Sequence, residues 1–286
     1  VKVVEASAYM NLSEQIVKYR AVGLSLDAQG EIIIANKVIG KISRKEVAQR
    51  FMLPAPIQFL DTLLAAGKIS QQQYELAQKV PMADDITVEA DSGGHTDNRP
   101  MVVVLPIILQ LRDEIQKKHH YKKQIRVGAA GGIGTPASAL AAFAMGAAYL
   151  VTGSINQACI ESGTSDAVKE LLAKVASTDV TMAPASDMFE LGVELQVLKR
   201  GTLFGARAKK LYETYNRYEG IDAIPEEERL KLEKQTFKMT LDHLLKLFFP
   251  AVDWDCPCGV SECFCSYEVY SIWENCRLDY FSLLFV

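Results

Sequence analysis

From Asp85 onward the chain repeats one pattern: a short apolar strand, a glycine-bearing turn, a helix, and a strand again. Ile86–Asp91 reads as a strand ending in Ser92-Gly-Gly-His-Thr-Asp-Asn-Arg-Pro100, and Met101–Lys118 as the helix behind it. Ile125–Ala129 is the next strand, ending in Ala130-Gly-Gly-Ile-Gly-Thr-Pro136, with a small-residue helix over Ala137–Gly146. Ala148–Thr152 follows, ending in Gly153-Ser154, and Asp166–Ala176 is the last helix of the series. Strands that alternate with helices pair in parallel, and glycines at their carboxyl ends leave main chain open to a ligand on that side.

The residues before Asp85 fit the same scheme less regularly. Val1–Ser7 is a β-branched run that reads as a strand already in progress, so the chain is expected to be a fragment whose beginning is missing. Asn11-Leu-Ser-Glu14 is a helix start, and Leu12–Leu24 carries helical apolar spacing. Glu31–Ile42 predicts a hairpin, or a single strand with a turn near Asn36. Arg44–Val80, rich in Ala, Leu, Gln and Lys and broken by Pro54 and Pro56, predicts a helical insertion over about 44–80. About four βα units result, whereas a closed (β/α)8 barrel needs eight. An open doubly wound sheet accommodates four, but the placement of the glycines favours the barrel. The expected fold is therefore α/β, the carboxyl-terminal part of a TIM barrel over 1–178. A helical extension or lid is expected over 179–249 and an atypical cysteine-rich tail over 250–286.

Composition removes several classes. With 286 residues, 49% of them hydrophobic, the chain can bury a sizeable core, so disorder is not its dominant state. The longest apolar stretches, Met101–Leu109 and Ala139–Val151, fall short of the roughly 20 residues a bilayer span needs, and no membrane partner is expected. The net charge is −4, with Lys and Arg scattered, which argues against nucleic acid. Cys159 is the lone cysteine of the first 255 positions, and the body reads as a reduced, cytoplasmic protein. Cys159 itself is expected to be a small buried apolar residue rather than a nucleophile. Cys256, Cys258, Cys263, Cys265 and Cys276 crowd the tail. C-x-C-x4-C-x-C is not a common zinc spacing. An out-of-frame or mis-spliced end is the preferred reading, and no metal is expected.

Two glycine-bearing turns carry the strongest chemical signal. Gly131-Gly132 and Gly153-Ser154 end consecutive strands, where side-chain-free backbone lets a phosphate approach the N–H groups. Thr135-Pro136 adds a helix start whose amides and dipole favour an anion at the same place. Gly128-Ala-Ala-Gly131 lacks the order of a dinucleotide fingerprint, and no acidic residue follows in the matching place. The plainer alternative is tight turns alone. His95 follows Gly93-Gly94 at the carboxyl end of a strand, the catalytic face of a barrel. An imidazole there can donate a proton or hydrogen-bond a developing enolate. Its alternative is a cap on the following helix, for which Asp97 or Asn98 is better suited. Pro100 holds Arg99 extended, as an ion-pair partner or as a phosphate contact. His119, His120 and His243 read as structural.

Asp91–Pro100, Gly128–Pro136 and Val151-Thr-Gly-Ser154 together resemble the PfaD-type trans-acting enoyl reductases of polyunsaturated fatty acid and polyketide synthases. These belong to a group of FMN-binding TIM barrels that also holds nitronate monooxygenases and flavin-type enoyl-acyl-carrier-protein reductases. The resemblance runs from about Val1 to Phe237 and takes in Met182-Ala-Pro-Ala-Ser-Asp-Met188 and Val197–Phe204. It has no counterpart here for the family's amino-terminal half, nor a match beyond about Pro250. The resemblance implies a catalytic His95, with Gly131, Gly132, Gly153 and Ser154 on the FMN phosphate and Gly93 and Gly94 beside the cofactor. It implies hydride passing from NADPH through FMN to the β-carbon of a trans-2-enoyl thioester carried on an acyl carrier protein. Lys199, Arg200, Arg207, Lys209 and Lys210 would steer an acidic carrier, or simply form a solvated helix face. Nitronate oxidation by O2 is the rival activity, and Asp97–Pro100 with the 44–80 insertion favour the reductase over it. An inert barrel fragment is the remaining reading.

Overall fold

The computed structural model describes residues 1–7, 12–186 and 188–248. The cysteine-rich tail expected over 250–286, with its weighing of zinc, lies outside the described residues. Two compact units divide the chain, Val1–Leu172 and the residues from Ala173 onward.

The first unit is built on five strands: β1 (Val3–Ser7), β4 (Lys37–Ile42), β5 (Asp85–Glu89), β7 (Arg126–Ala130) and β8 (Leu150–Val151). They form one sheet in the order β1-β4-β5-β7-β8, every neighbour parallel. Helices follow each in turn: α1 (Glu14–Val22), then the inserted α2 (Lys45–Met52), α3 (Ile57–Ala65) and α4 (Gln71–Ala77). Beyond them come α5 (Met101–His119), α6 (Pro136–Ala144), and the pair α7 (Ser154–Gln157) and α8 (Asp166–Ala173). This is half of a barrel sheet. The strand beyond the four expected is β4, whose residues the hairpin reading of Glu31–Ile42 takes in.

The correction at Glu31–Ile42 has a local cause. β3 (Ile32–Ile34) pairs antiparallel with β2 (Leu24–Leu26), and Ala35 N–H donates to the Gly23 carbonyl at 2.9 Å. The chain then passes Asn36 and enters the large sheet as β4. Arg20, 1% exposed, holds this crossing. Its guanidinium donates to the carbonyls of Pro81 and Asn36 and to Asp84 at 2.6 Å, and Asp84 in turn accepts from Val38 N–H.

Side chains alternate across a strand, and the two faces of this sheet differ in kind. Val38, Ile42, Ile86, Val88, Val127 and Ala129 are buried in the core beneath the helices. Phe51 and Met52 of α2, Leu60 and Leu63 of α3, and Leu105 and Ile108 of α5 meet them there. Gly40 shares that face, where an added Cβ would lie 3.0 Å from the Phe51 ring. The opposite face is polar and cross-linked. Asp85 and Arg126 form a bidentate pair at 2.6 and 2.7 Å, and Thr87 bonds the Tyr149 hydroxyl at 2.8 Å. Lys41 reaches Glu89 at 3.2 Å. Burial raises the Tyr149 phenol to about 12, so it stays protonated.

The second unit departs from the helical extension expected over 179–249. It opens with an antiparallel hairpin, β9 (Val180–Pro184) with β10 (Glu194–Leu198), covered by α9 (Phe204–Arg217) through Phe204 and Ala208. Then α10 (Glu226–Leu232) runs through a π-helical turn at Glu233–Phe237 to α11 (Leu241–Phe248). Leu211, Leu232, Phe237, Leu241 and Leu244 form its second core. Among the described residues no helix is long and apolar enough to cross a membrane.

Candidate functional site

The carboxyl ends of β5, β7 and β8 carry every residue singled out for chemistry, and parallel pairing puts those ends on one side of the sheet. Gly131 and Gly132 leave β7 with φ of +92° and +68°, in the left-handed region. At Gly131 no side chain fits: a Cβ would stand 2.6 Å from the Ala90 carbonyl oxygen and 2.9 Å from that of Asp91. The β7 loop is therefore pressed against the start of the His95 loop. At Gly153 the reverse holds, with φ of −118° and nothing within 4 Å of an added Cβ. Ser154 begins α7 and lies close to the same loop, since a Cβ on Gly93 would stand 3.4 Å from Ser154 Oγ.

The first turn of α6 is less open to an anion than its sequence suggests. Thr135 and Ser138 form a reciprocal cap: Thr135 Oγ1 accepts from Ser138 N–H, and Ser138 Oγ accepts from Thr135 N–H. Pro136 has no N–H, so Ala137 supplies the first-turn amide not spent in the cap. An anion at this end would have to draw its donors mainly from the glycine loops.

His95 lies half-buried in β6 (Gly94–His95), within the loop 91–99. That loop is closed at its base by Asp91 N–H donating to the Arg99 carbonyl at 2.8 Å. Thr96 Oγ1 accepts from Asn98 N–H at 3.0 Å, and Asn98 sits at φ +53°. Asp97 caps nothing. Its carboxylate accepts from Arg44 Nε and Nη2, both at 2.9 Å, and from Ser43 Oγ at 2.5 Å. The Arg44 guanidinium chiefly holds the Asp97 carboxyl down at about 2, with a smaller contribution from Arg99. Asp97 thus takes part in an ion pair, and its partner Arg44 lies between β4 and α2.

Beneath the loop, Lys41 and Glu89 stand on the polar face of the sheet at the same end, and sequence reasoning did not single them out. Strand alternation was the available signal, because both sit out of phase with the apolar positions of their strands. Ser92 Oγ is buried with no hydrogen-bond partner beside Gly93. Cys159, expected buried, is half-buried, and its thiol donates to the Asn156 carbonyl at 2.8 Å. Among the described residues no group of His, Cys, Asp and Glu could hold a metal ion. In the second unit the basic cluster is partly neutralised, since Arg200 pairs with Asp179 at 3.4 Å and Lys210 with Glu228 at 2.9 Å.

No family model matches the chain. Several known proteins do. One component of the polyunsaturated fatty acid synthase of Thraustochytrium is 53% identical over 243 residues, which is 84% of this chain and 16% of that protein. The "polyketide biosynthesis protein PksE" of Bacillus subtilis is 49% identical over 256 residues, 88% of this chain and 33% of that one. The crystal structure of the enoyl reductase domain of MlnA, from the macrolactin biosynthesis cluster of Bacillus amyloliquefaciens, superposes with a TM-score of 0.85 at 36% identity. That match covers 99% of this chain and 64% of the solved domain. The chain thus spans less than two thirds of the relatives it matches. In sequence and in fold it is a homologue of the enoyl reductase domains of polyunsaturated fatty acid and polyketide synthases.

Proposed function

We propose that the protein this chain represents is an FMN-dependent reductase of trans-2-enoyl thioesters, with NADPH as hydride donor and an acyl carrier protein as the bearer of substrate. The observation that carries the reading is the convergence of three loops, 91–99, 131–135 and 152–154, on one end of a parallel sheet, in a chain homologous to an enoyl reductase domain.

The residues fit the flavin. Gly131 and Gly132 turn their main chain through the left-handed region, and the space beside Gly153 is open. Ser92 Oγ is a buried polar atom awaiting a partner. Amides of the β7 and β8 loops, with Ser154, would hold the phosphate. When bound, FMN supplies the hydride relay between nicotinamide and enoyl β-carbon. The protein's own part is positioning and proton supply. His95 would protonate the α-carbon side or hydrogen-bond the thioester oxygen, a contribution of about 10²–10⁴ in rate.

The test is direct. The full-length protein should purify with flavin absorbance and reduce carrier-bound crotonyl thioester at the expense of NADPH. Colourless protein that takes up no FMN contradicts the reading. Turnover of a nitronate with O2 in place of crotonyl thioester would transfer the site to the rival activity.

A further inference from the structure

The loop 91–99 is anchored on one side by main chain alone, where Gly131 lies against Ala90 and Asp91. Beyond His95 a carboxylate ties it to the inserted helices. Asp97, two residues beyond His95, takes both donors of the Arg44 fork and the Ser43 hydroxyl. Arg44 occupies the N-cap position of α2 yet makes no side-chain cap bond there. Its guanidinium is committed instead to the loop across from it. The side chain of Arg44 is 56% exposed, and a pair so placed adds about 0–1 kcal/mol to stability. A bidentate fork does, however, fix direction as well as distance. Between His95 and this anchor the backbone passes through Thr96 alone, and immediately after it Asn98 is left-handed, so a shift of Asp97 is passed on to the imidazole over a short span of chain.

We propose that Arg44 and Asp97 form a positioning clamp that sets the place of His95 over the strand ends by tying its loop to the root of the inserted helices α2–α4. The proposal rests on the reductase reading and assigns a task within the same site. Arg44 and Asp97 are positioning residues: they act on the reaction through the loop they hold.

The experiment compares full-length wild type with Asp97→Asn, Arg44→Lys and the exchange Arg44→Asp/Asp97→Arg. Bound FMN, melting midpoint, amide hydrogen exchange over 91–99, and kcat and KM for carrier-bound crotonyl thioester are measured on each. Both single variants should keep FMN and melt within a few degrees of wild type. Their 91–99 amides should exchange faster, and kcat should fall about ten- to a hundredfold, the scale of a small misplacement of a reacting group. KM should change little. The exchange variant should recover part of both the protection and kcat. Wild-type kcat and exchange in the single variants overturns the proposal, as does a loss of kcat that merely follows lost FMN or unfolding. If Asp97→Asn fails to fold, Arg44→Lys, which keeps the charge and removes the fork, decides the matter. A wild type that holds no FMN defeats the reductase reading, while hydrogen exchange still reports on the clamp.

Discussion

Gly131 and Gly153 look alike in the sequence and differ sharply in what an alanine would meet. Gly131→Ala places a Cβ 2.6 Å from a carbonyl oxygen at φ +92°. It should cost about 1–3 kcal/mol from backbone strain alone, read as a lowered urea midpoint. Gly153→Ala meets nothing at an ordinary φ. It should leave the midpoint unchanged and, if the proposed phosphate site is right, weaken FMN about tenfold or more, because the new methyl group would occupy the open space assigned to the phosphate. Asp97 gives a pH signature. Its folded pKa, about 2, lies below the ordinary 3.8, so its stabilisation is complete above about pH 5 and is lost as pH falls toward 2. The stability difference between wild type and Asp97→Asn should therefore be flat from neutral pH to 5 and shrink below 4. A difference that grows on acidification contradicts the Arg44 pairing. The places of Gly131-Gly132, Gly153-Ser154 and His95 were legible because their signal is local: a loop tip after a strand. The Arg44–Asp97 fork joins residues 53 positions apart, and no spacing within either segment announces it.

Elements were legible where their period was clean. The units from Asp85 to Val151 have apolar strands, glycine ends and long helices, and the structure puts strand and helix where the pattern does. β4 was obscured because one of its faces bears Lys37, Ile39 and Lys41, so its alternation blurs into the neighbouring Ile32–Ile34 run. What separates β3 from β4 is tertiary: Gly23 receives Ala35, and Arg20 and Asp84 seize the crossing. Arg20→Ala should cost about 3–5 kcal/mol, since it leaves Asp84 without its buried partner. Chemical denaturation measures it, and a loss below about 1 kcal/mol would mean that the Arg20–Asp84 pair is not what holds α1 to the sheet. The β9–β10 hairpin escaped notice for a different reason. Its strands are joined through a 3-10 turn at Phe189–Leu191 and a left-handed Gly192, not by a two-residue turn that a sequence advertises.

The whole molecule combines a half-barrel unit with a second unit of hairpin and helices, and the chain spans 64% of the MlnA reductase domain. On the second unit, Arg200 and Lys210 are engaged by Asp179 and Glu228. If this face steers a carrier, the effect must come from Lys199, Arg207 and Lys209. Lys199→Glu with Lys209→Glu should raise KM for carrier-bound substrate several-fold and leave KM for a pantetheine thioester unchanged. Equal effects on both substrates would remove the docking role. The central claim is narrower: main-chain amides at neighbouring loop tips grip the terminal phosphate of a flavin. Charge-assisted hydrogen bonds contribute about 1.5–3 kcal/mol each, so two of them separate a phosphorylated ligand from its dephosphorylated form by roughly 10²–10⁴. Fluorescence titration of the full-length apoprotein with FMN and with riboflavin measures that ratio. FMN binding at least about a hundredfold more tightly is the predicted result, and equal affinity for the two would contradict the account.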